Sequence, residues 1–261
     1  MTISGPVPVQ TSVPTATVFR RAAAAEWTRL LTVRSTWWSL LAAAALMIFI
    51  GGAAGSSPPA EGEVAPIWFA AEFAIVPGQF AFLLIVLLAV TGEYATGAVR
   101  SSLQWVPRRG LLLAARALVP VAFATASAVV ISAAADVVAW GFLGENAEVI
   151  PGDIGRSLAR IALIVAVGGL LTVGLGMALR STAGTLTSVF LLIFALPVML
   201  GNAGVPWLTT IADHLPGTVF ISLLEATDEA RAGSTIAAVL VAWTTAAMFS
   251  GGWAFVRRDT T

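Results

Sequence analysis

The stretch GEYATGAVRSSLQWVPRRG, residues 92–110, is short and basic and lies between two long apolar segments. The segment before it, Trp68–Val90, is long enough to cross a bilayer, and the one after it, Leu111–Leu143, is longer than a crossing needs. A span takes about 20 apolar residues, each rising about 1.5 Å. A connector carrying Arg100, Arg108 and Arg109 between two spans is expected to stay in the cytoplasm. What this connector does decides the function.

Composition bounds the class. Of 261 residues, 58% are hydrophobic and 11% charged, where a soluble domain of this size carries about 25% charged residues. Several separate apolar runs of spanning length make the chain an all-α, polytopic membrane protein. Three absences narrow its chemistry. There is no lysine, so all 14 basic residues are arginine. A phosphate-cradling Walker loop needs its Lys, and so does a Schiff base, so the chain carries neither. With no cysteine it has no disulfide, thiolate nucleophile or iron–sulfur ligand set. One histidine, His214, excludes a multi-histidine metal site within one chain. Residues 1–18, rich in Pro, Ser and Thr, lack the apolar centre of a signal peptide and read as a disordered tail.

Six spans are predicted, at about 39–54, 68–91, 111–142, 154–179, 184–200 and 234–256, within one transmembrane domain covering 19–261. Pro77 is expected to bend the second and Pro120 to kink the third, while Pro197 falls near the end of the fifth. With the N-terminus inside, eleven of the 14 arginines are cytoplasmic and only Arg156, Arg160 and Arg231 lie outside. Basic residues resist translocation, so both termini are expected in the cytoplasm. The arginine-only, alanine-rich composition suits a bacterial cell membrane.

Residues 19–38 precede the first span. Phe19, Trp27, Leu30, Leu31, Val33, Trp37 and Trp38 cluster on one side of a helical wheel; Arg21, Thr28, Arg29, Thr32, Ser35 and Thr36 take the other. The pattern predicts an amphipathic helix in the membrane surface, with its tryptophans at headgroup level. Arg34 falls on the apolar side and must snorkel or mark a bend. Between the fifth and sixth spans, Trp207–Ala212 and Val219–Ala226 are apolar but too short to cross, and Pro206 and Pro216 break them. Short helices dipping into the membrane are expected there.

Read as a helix over Glu93–Gln104, with Gly92 ending the second span, the connector has two faces. Glu93, Gly97, Arg100 and Gln104 share one; Ala95, Ala98, Val99, Leu103 and Trp105 share the other. Such a helix lies across the bottom of the bundle and offers its polar face to the cytoplasm. Val106–Pro107 stops it.

Three segments in this order, AEWTRLLTVRSTWW (25–38), GEYATGAVRSSLQWVPRRGLLLAARAL (92–118) and GMALRSTAGTL (176–186), resemble the membrane-spanning subunits of ABC exporters of the type 2 permease class. With the spans, the likeness covers about residues 19–258. The resemblance implies that the helix after the second span is a coupling helix docking on a separate ATPase subunit, with Glu93, Tyr94, Thr96, Gly97 and Arg100 in it. It implies that the surface helix is an elbow helix able to touch the ATPase, with Glu26, Trp27, Arg29, Trp37 and Trp38 at that interface. It also implies paired re-entrant helices before the last span, and a dimer with a second permease chain and two ATPase copies. ATP and Mg would be bound by the ATPase, and this chain would be no enzyme and hold no cofactor or metal of its own. No nucleic acid is implied; membrane lipid is. The chain departs from some members in lacking a large external domain between its first two spans. Apolar span faces rich in Phe, Leu and Val suit an amphipathic or hydrophobic cargo, such as an antibiotic, lipid or peptide.

Charges inside the spans are the other candidates. Asp136 and Arg160 fall at similar depth on adjacent antiparallel spans and are expected to pair, as a fold-locking bridge or as a substrate or proton site. Glu72 faces an outer vestibule or reaches the interface. His214, beside Asp213, reads as an exposed loop histidine. Gly168, Gly169, Gly174 and Gly176 allow close helix approach, within one chain or between two. Two other readings stand beside the exporter: an ion-coupled secondary carrier, which needs mid-membrane ionisable groups and usually inverted repeats, and a non-transport membrane scaffold.

Overall fold

Helix α1 (Thr15–Thr32) starts directly after Pro14, so the predicted tail gives way to helix four residues before Phe19. It ends at Val33, whose backbone is extended (φ −84°, ψ 122°), and α2 (Arg34–Gly55) begins at the next residue. The break follows from local competition. Thr32 Oγ1 donates to the carbonyls of both Thr28 and Arg29 at 3.0 Å, drawing the last turn away from regular bonding. Trp37 Nε1 donates to Leu31 O at 2.9 Å and clamps the corner from outside. The bend therefore lies at Val33, beside Arg34, and the spanning helix begins earlier than the predicted 39. These positions come from a computed structural model, which describes residues 14–57, 63–96, 109–225 and 233–258.

The protein is an all-α, multi-pass membrane protein: among the described residues six helices are long and apolar enough to cross a membrane. After α2 come α3 (Trp68–Thr96), α4 (Arg109–Leu143) and α5 (Pro151–Leu179). Helices α3 and α4 run through Pro77 and Pro120. Helix α3 also continues unbroken through Gly92, so that glycine does not end it. An interior glycine costs only about 1 kcal/mol, and neighbouring contacts hold this stretch helical: Val90 and Thr91 meet the backbone at Gly176. The fifth span is composite, with α6 (Thr182–Phe190), a π-helical turn at Leu191–Ala195 and α7 (Leu196–Gly201). Then α8 (Pro206–Ala212) and α9 (Pro216–Glu225) form a hairpin, and α10 (Gly233–Arg258) closes the chain. At the end where α2 hands over to α3, a parallel two-residue bridge joins β1 (Ala65–Pro66) to β2 (Ala147–Glu148).

Small residues set the helix spacing. A Cβ at Gly55 would stand 2.7 Å from Ala139 Cα, and one at Gly51 2.9 Å from Ala135 O, so α2 and α4 touch backbone to backbone. Gly168 faces Leu83, Gly169 faces Val121, and Gly174 lies against the backbone at Ala247. The glycines of the fourth span thus serve packing inside this chain. The main core gathers Met47, Ile75, Phe82, Val86, Ile161 and Val165, all fully buried, between α2, α3 and α5.

The hairpin is held deep. Pro197 has no N–H to give Ile193 O four residues back, and the helix widens there into the π turn. The freed carbonyl is met by Gly217, where any side chain would collide with it. On the other side Trp243 Nε1 donates to His214 O at 2.8 Å. Trp243 stands ten residues into α10, about 15 Å along a helix rising about 1.5 Å per residue. The turn at Asp213–Leu215 therefore reaches about halfway along both flanking helices before the chain returns.

Candidate functional site

Polar side chains gather at two opposite ends of the bundle. At the end where α3 finishes and α4 begins, Glu26 of α1 is only 6% exposed. Its carboxylate meets Arg29 at 2.7 Å and Arg116 of α4 at 3.3 Å. Arg29 also donates to Ala89 O of α3 at 2.8 Å. A buried carboxylate is tolerated only when paired, and here two guanidiniums supply the pairing. The consequence is mechanical. Helix α1 is fastened to the last turns of α3 and the second turn of α4, the two helices between which the connector runs. Leu30, almost fully buried, adds an apolar contact with Ile85 and Phe123.

The motif at 176–186 closes the same end. Arg180 takes a left-handed conformation (φ 53°), turning the chain from α5 into α6, and donates to Ala254 O of α10 at 3.3 Å. Ser181 caps α6 by accepting from Gly184 N at 3.2 Å. Thr182 Oγ1 donates to Thr91 Oγ1 of α3 at 2.9 Å.

Among the residues assigned to the surface-helix interface, Glu26 and Arg29 meet. Arg29 points inward, toward α3, and not to the polar outer face the wheel gave it, because Glu26 one turn earlier and Ala89 O draw it there. Trp27 packs edge-on against Phe123, ring centroids 5.5 Å apart, and remains 48% exposed. Trp37 and Trp38 are exposed, as anchors at an apolar–water boundary would be. The sequence signal for Arg116 is an acid, Glu26, on a mostly apolar helix face, which needs a basic partner nearby. For the connector, the backbone of Glu93, Tyr94 and Thr96 forms the last turn of α3, whereas Gly97 and Arg100 lie outside the described residues.

At the opposite end the expected Asp136–Arg160 pair is replaced by another. Arg160 Nη1 bonds Glu72 Oε1 at 3.3 Å. Asp136, 2% exposed, accepts the Ala71 N–H at 3.0 Å through Oδ1. The reason is helix polarity. Asp136 sits against the first turn of α3, where backbone N–H groups and the positive end of the dipole favour an anion. The next residue along α3, Glu72, then faces α5 and takes the arginine. Asp153 and Arg156, one turn apart on α5, form a second ion pair beside it. His214 is exposed in this chain, but at the hairpin's deep turn, with Nδ1 at 2.8 Å from Thr210 O. No group of three or more potential metal ligands occurs among the described residues.

No protein-family model matches the chain, and no curated protein matches it.

Proposed function

We propose that the chain is the transmembrane permease subunit of an ATP-driven exporter of the ABC type 2 class, working as a dimer with separate ATPase subunits. The observation that carries this reading is the Glu26–Arg29–Arg116 cluster. It ties a surface helix to the two spans on either side of a basic connector, in a chain that has no lysine for a Walker loop. A segment that borrows force from a partner needs a stiff base, and bistable packed elements transmit such motion as rigid bodies. With residues 97–108 in the cytoplasm, α1 acts as the elbow helix and the connector as the coupling helix. The hairpin α8–α9 is then a re-entrant element opening from the outer side, and both termini are cytoplasmic. Residues Glu93, Tyr94, Thr96, Gly97 and Arg100 dock on the ATPase, which binds ATP and Mg. The cargo is amphipathic or hydrophobic.

The test is affinity purification of the tagged chain in mild detergent, with ATP-driven export measured in parallel. The wild type is expected to retain an ATPase. Gly97→Trp or Glu93→Arg should leave the bundle inserted and lower export at least tenfold. Retention of both ATPase binding and export in these variants contradicts the docking assignment.

A further inference from the structure

We infer that the cavity between α3, α5 and α9 is a binding site for amphipathic cations. It has a volume of about 710 Å³ and is open at the end of the bundle opposite the connector. Helix α3 presents one stripe to it at helical spacing, Phe69, Glu72, Phe73 and Val76. The two phenylalanine rings stack with centroids 6.0 Å apart, yet each remains well over half exposed (57% and 59%). Large aromatic faces left open beside charged groups are what a desolvated cation uses.

The charges give the sign of the ligand. Among the described residues five ionisable side chains line the cavity, three carboxylates and two guanidiniums. Arg160 is already matched by Glu72 and Arg156 by Asp153. An arriving anion would compete with those carboxylates for the two guanidiniums. The fifth group, Glu225, ends α9 at the rim and gives the lining a surplus negative charge. A cation meets that carboxylate and the aromatic stripe without breaking either ion pair.

A second observation places an apolar part of the ligand. On the far side of Val76, Ile221 and Leu224, which border both spaces, lies a separate slot of about 50 Å³ with a nearly apolar lining. Gln79 lines this slot and is 6% exposed. Its Nε2 donates to Val76 O at 2.9 Å, but its Oε1 finds no donor among the described residues. Buried amide oxygens are normally satisfied, and this one is closed off from solvent. Charged mouth, aromatic wall and apolar slot together match a molecule with a positive head and an apolar body. The site goes beyond the permease reading and stands without it, because binding is read on this chain alone.

The test uses two ions of one shape and opposite charge, tetraphenylphosphonium and tetraphenylborate. Equilibrium binding is measured to the purified full chain in phosphatidylcholine nanodiscs, with empty nanodiscs subtracted. Saturable binding of the phosphonium is expected, at least about tenfold tighter than the borate. Glu225→Gln and Phe73→Ala, both at exposed positions, should each weaken it about fivefold, the order of a cation–π or single-charge contribution. Thermal unfolding of the same samples checks that the variants are folded. Equal binding of the two ions, or phosphonium affinity unchanged in both folded variants, overturns the proposal. Either result would assign the phenylalanine stripe to contact with lipid or another chain.

Discussion

Glu26 is the residue on which the connector end depends. Removing it takes from Arg29 and Arg116 the buried carboxylate they share, and breaking a buried pair costs about 3 kcal/mol or more. Glu26→Ala is therefore expected to lower the unfolding free energy by roughly that amount. Adding Arg116→Leu should recover much of the loss, since Arg29, with 30% of its side chain exposed, can turn to water. Denaturant unfolding in detergent measures both; a single-variant cost below ~0.5 kcal/mol contradicts the anchoring role. The same logic separates the two acids at the other end. A double-mutant cycle should find a coupling of about 1 kcal/mol between Glu72 and Arg160 and almost none between Asp136 and Arg160. The reverse order would restore the pair expected from sequence. That expectation went astray for a physical reason. Depth along a helix can be read from sequence, but rotation about its axis cannot, and Glu72 and Asp136 differ in which neighbour they face.

At the scale of elements, the long apolar runs were legible because hydrophobic length alone marks a span. The six helices of spanning length lie where hydropathy put them, with ends shifted by a few residues. Subtler features were less legible. The break at Val33 rests on Thr32 competing for backbone carbonyls, which shows in sequence only as an arginine on the wrong side of a wheel. The run of α3 beyond Gly92 rests on packing against Gly176 and Thr182, far along the chain. The hairpin was visible as two apolar pieces cut by Pro206 and Pro216, but not its depth. That depth is fixed by Trp243 reaching His214 O and by Gly217 seated on the carbonyl Pro197 leaves free. An ionisable pair of neighbours, Asp213 and His214, thus stands near the middle of the flanking helices, where lipid contact would be costly. An aqueous cleft at that turn would relieve the cost, and the exposure of both residues fits one. Since the chain has no cysteine, His214→Cys creates a lone thiol. A charged, membrane-impermeant maleimide added outside intact cells should label it; labelling only after denaturation contradicts an open cleft.

The whole molecule has a division of labour between its ends. One end carries the salt-bridged corner of α1, α3 and α4; the other carries the hairpin, the Glu72–Arg160 pair and the open cavity. The helices meet at glycine and alanine contacts such as Gly55–Ala139 toward one end and Gly174–Ala247 toward the other, which leave little slack. Close-packed cores shift between discrete arrangements and do not yield gradually, so under the proposed function a push at the connector is expected to reach the cavity as a movement of whole helices. The most direct measurement starts from a cysteine at position 97, alone in an otherwise cysteine-free chain and carrying a maleimide–benzophenone photocrosslinker, irradiated in native membranes. The account predicts an adduct with a nucleotide-hydrolysing subunit, identified by mass spectrometry. Adducts confined to lipid or to the chain itself, or a cysteine that reacts only from outside the cell, would contradict it.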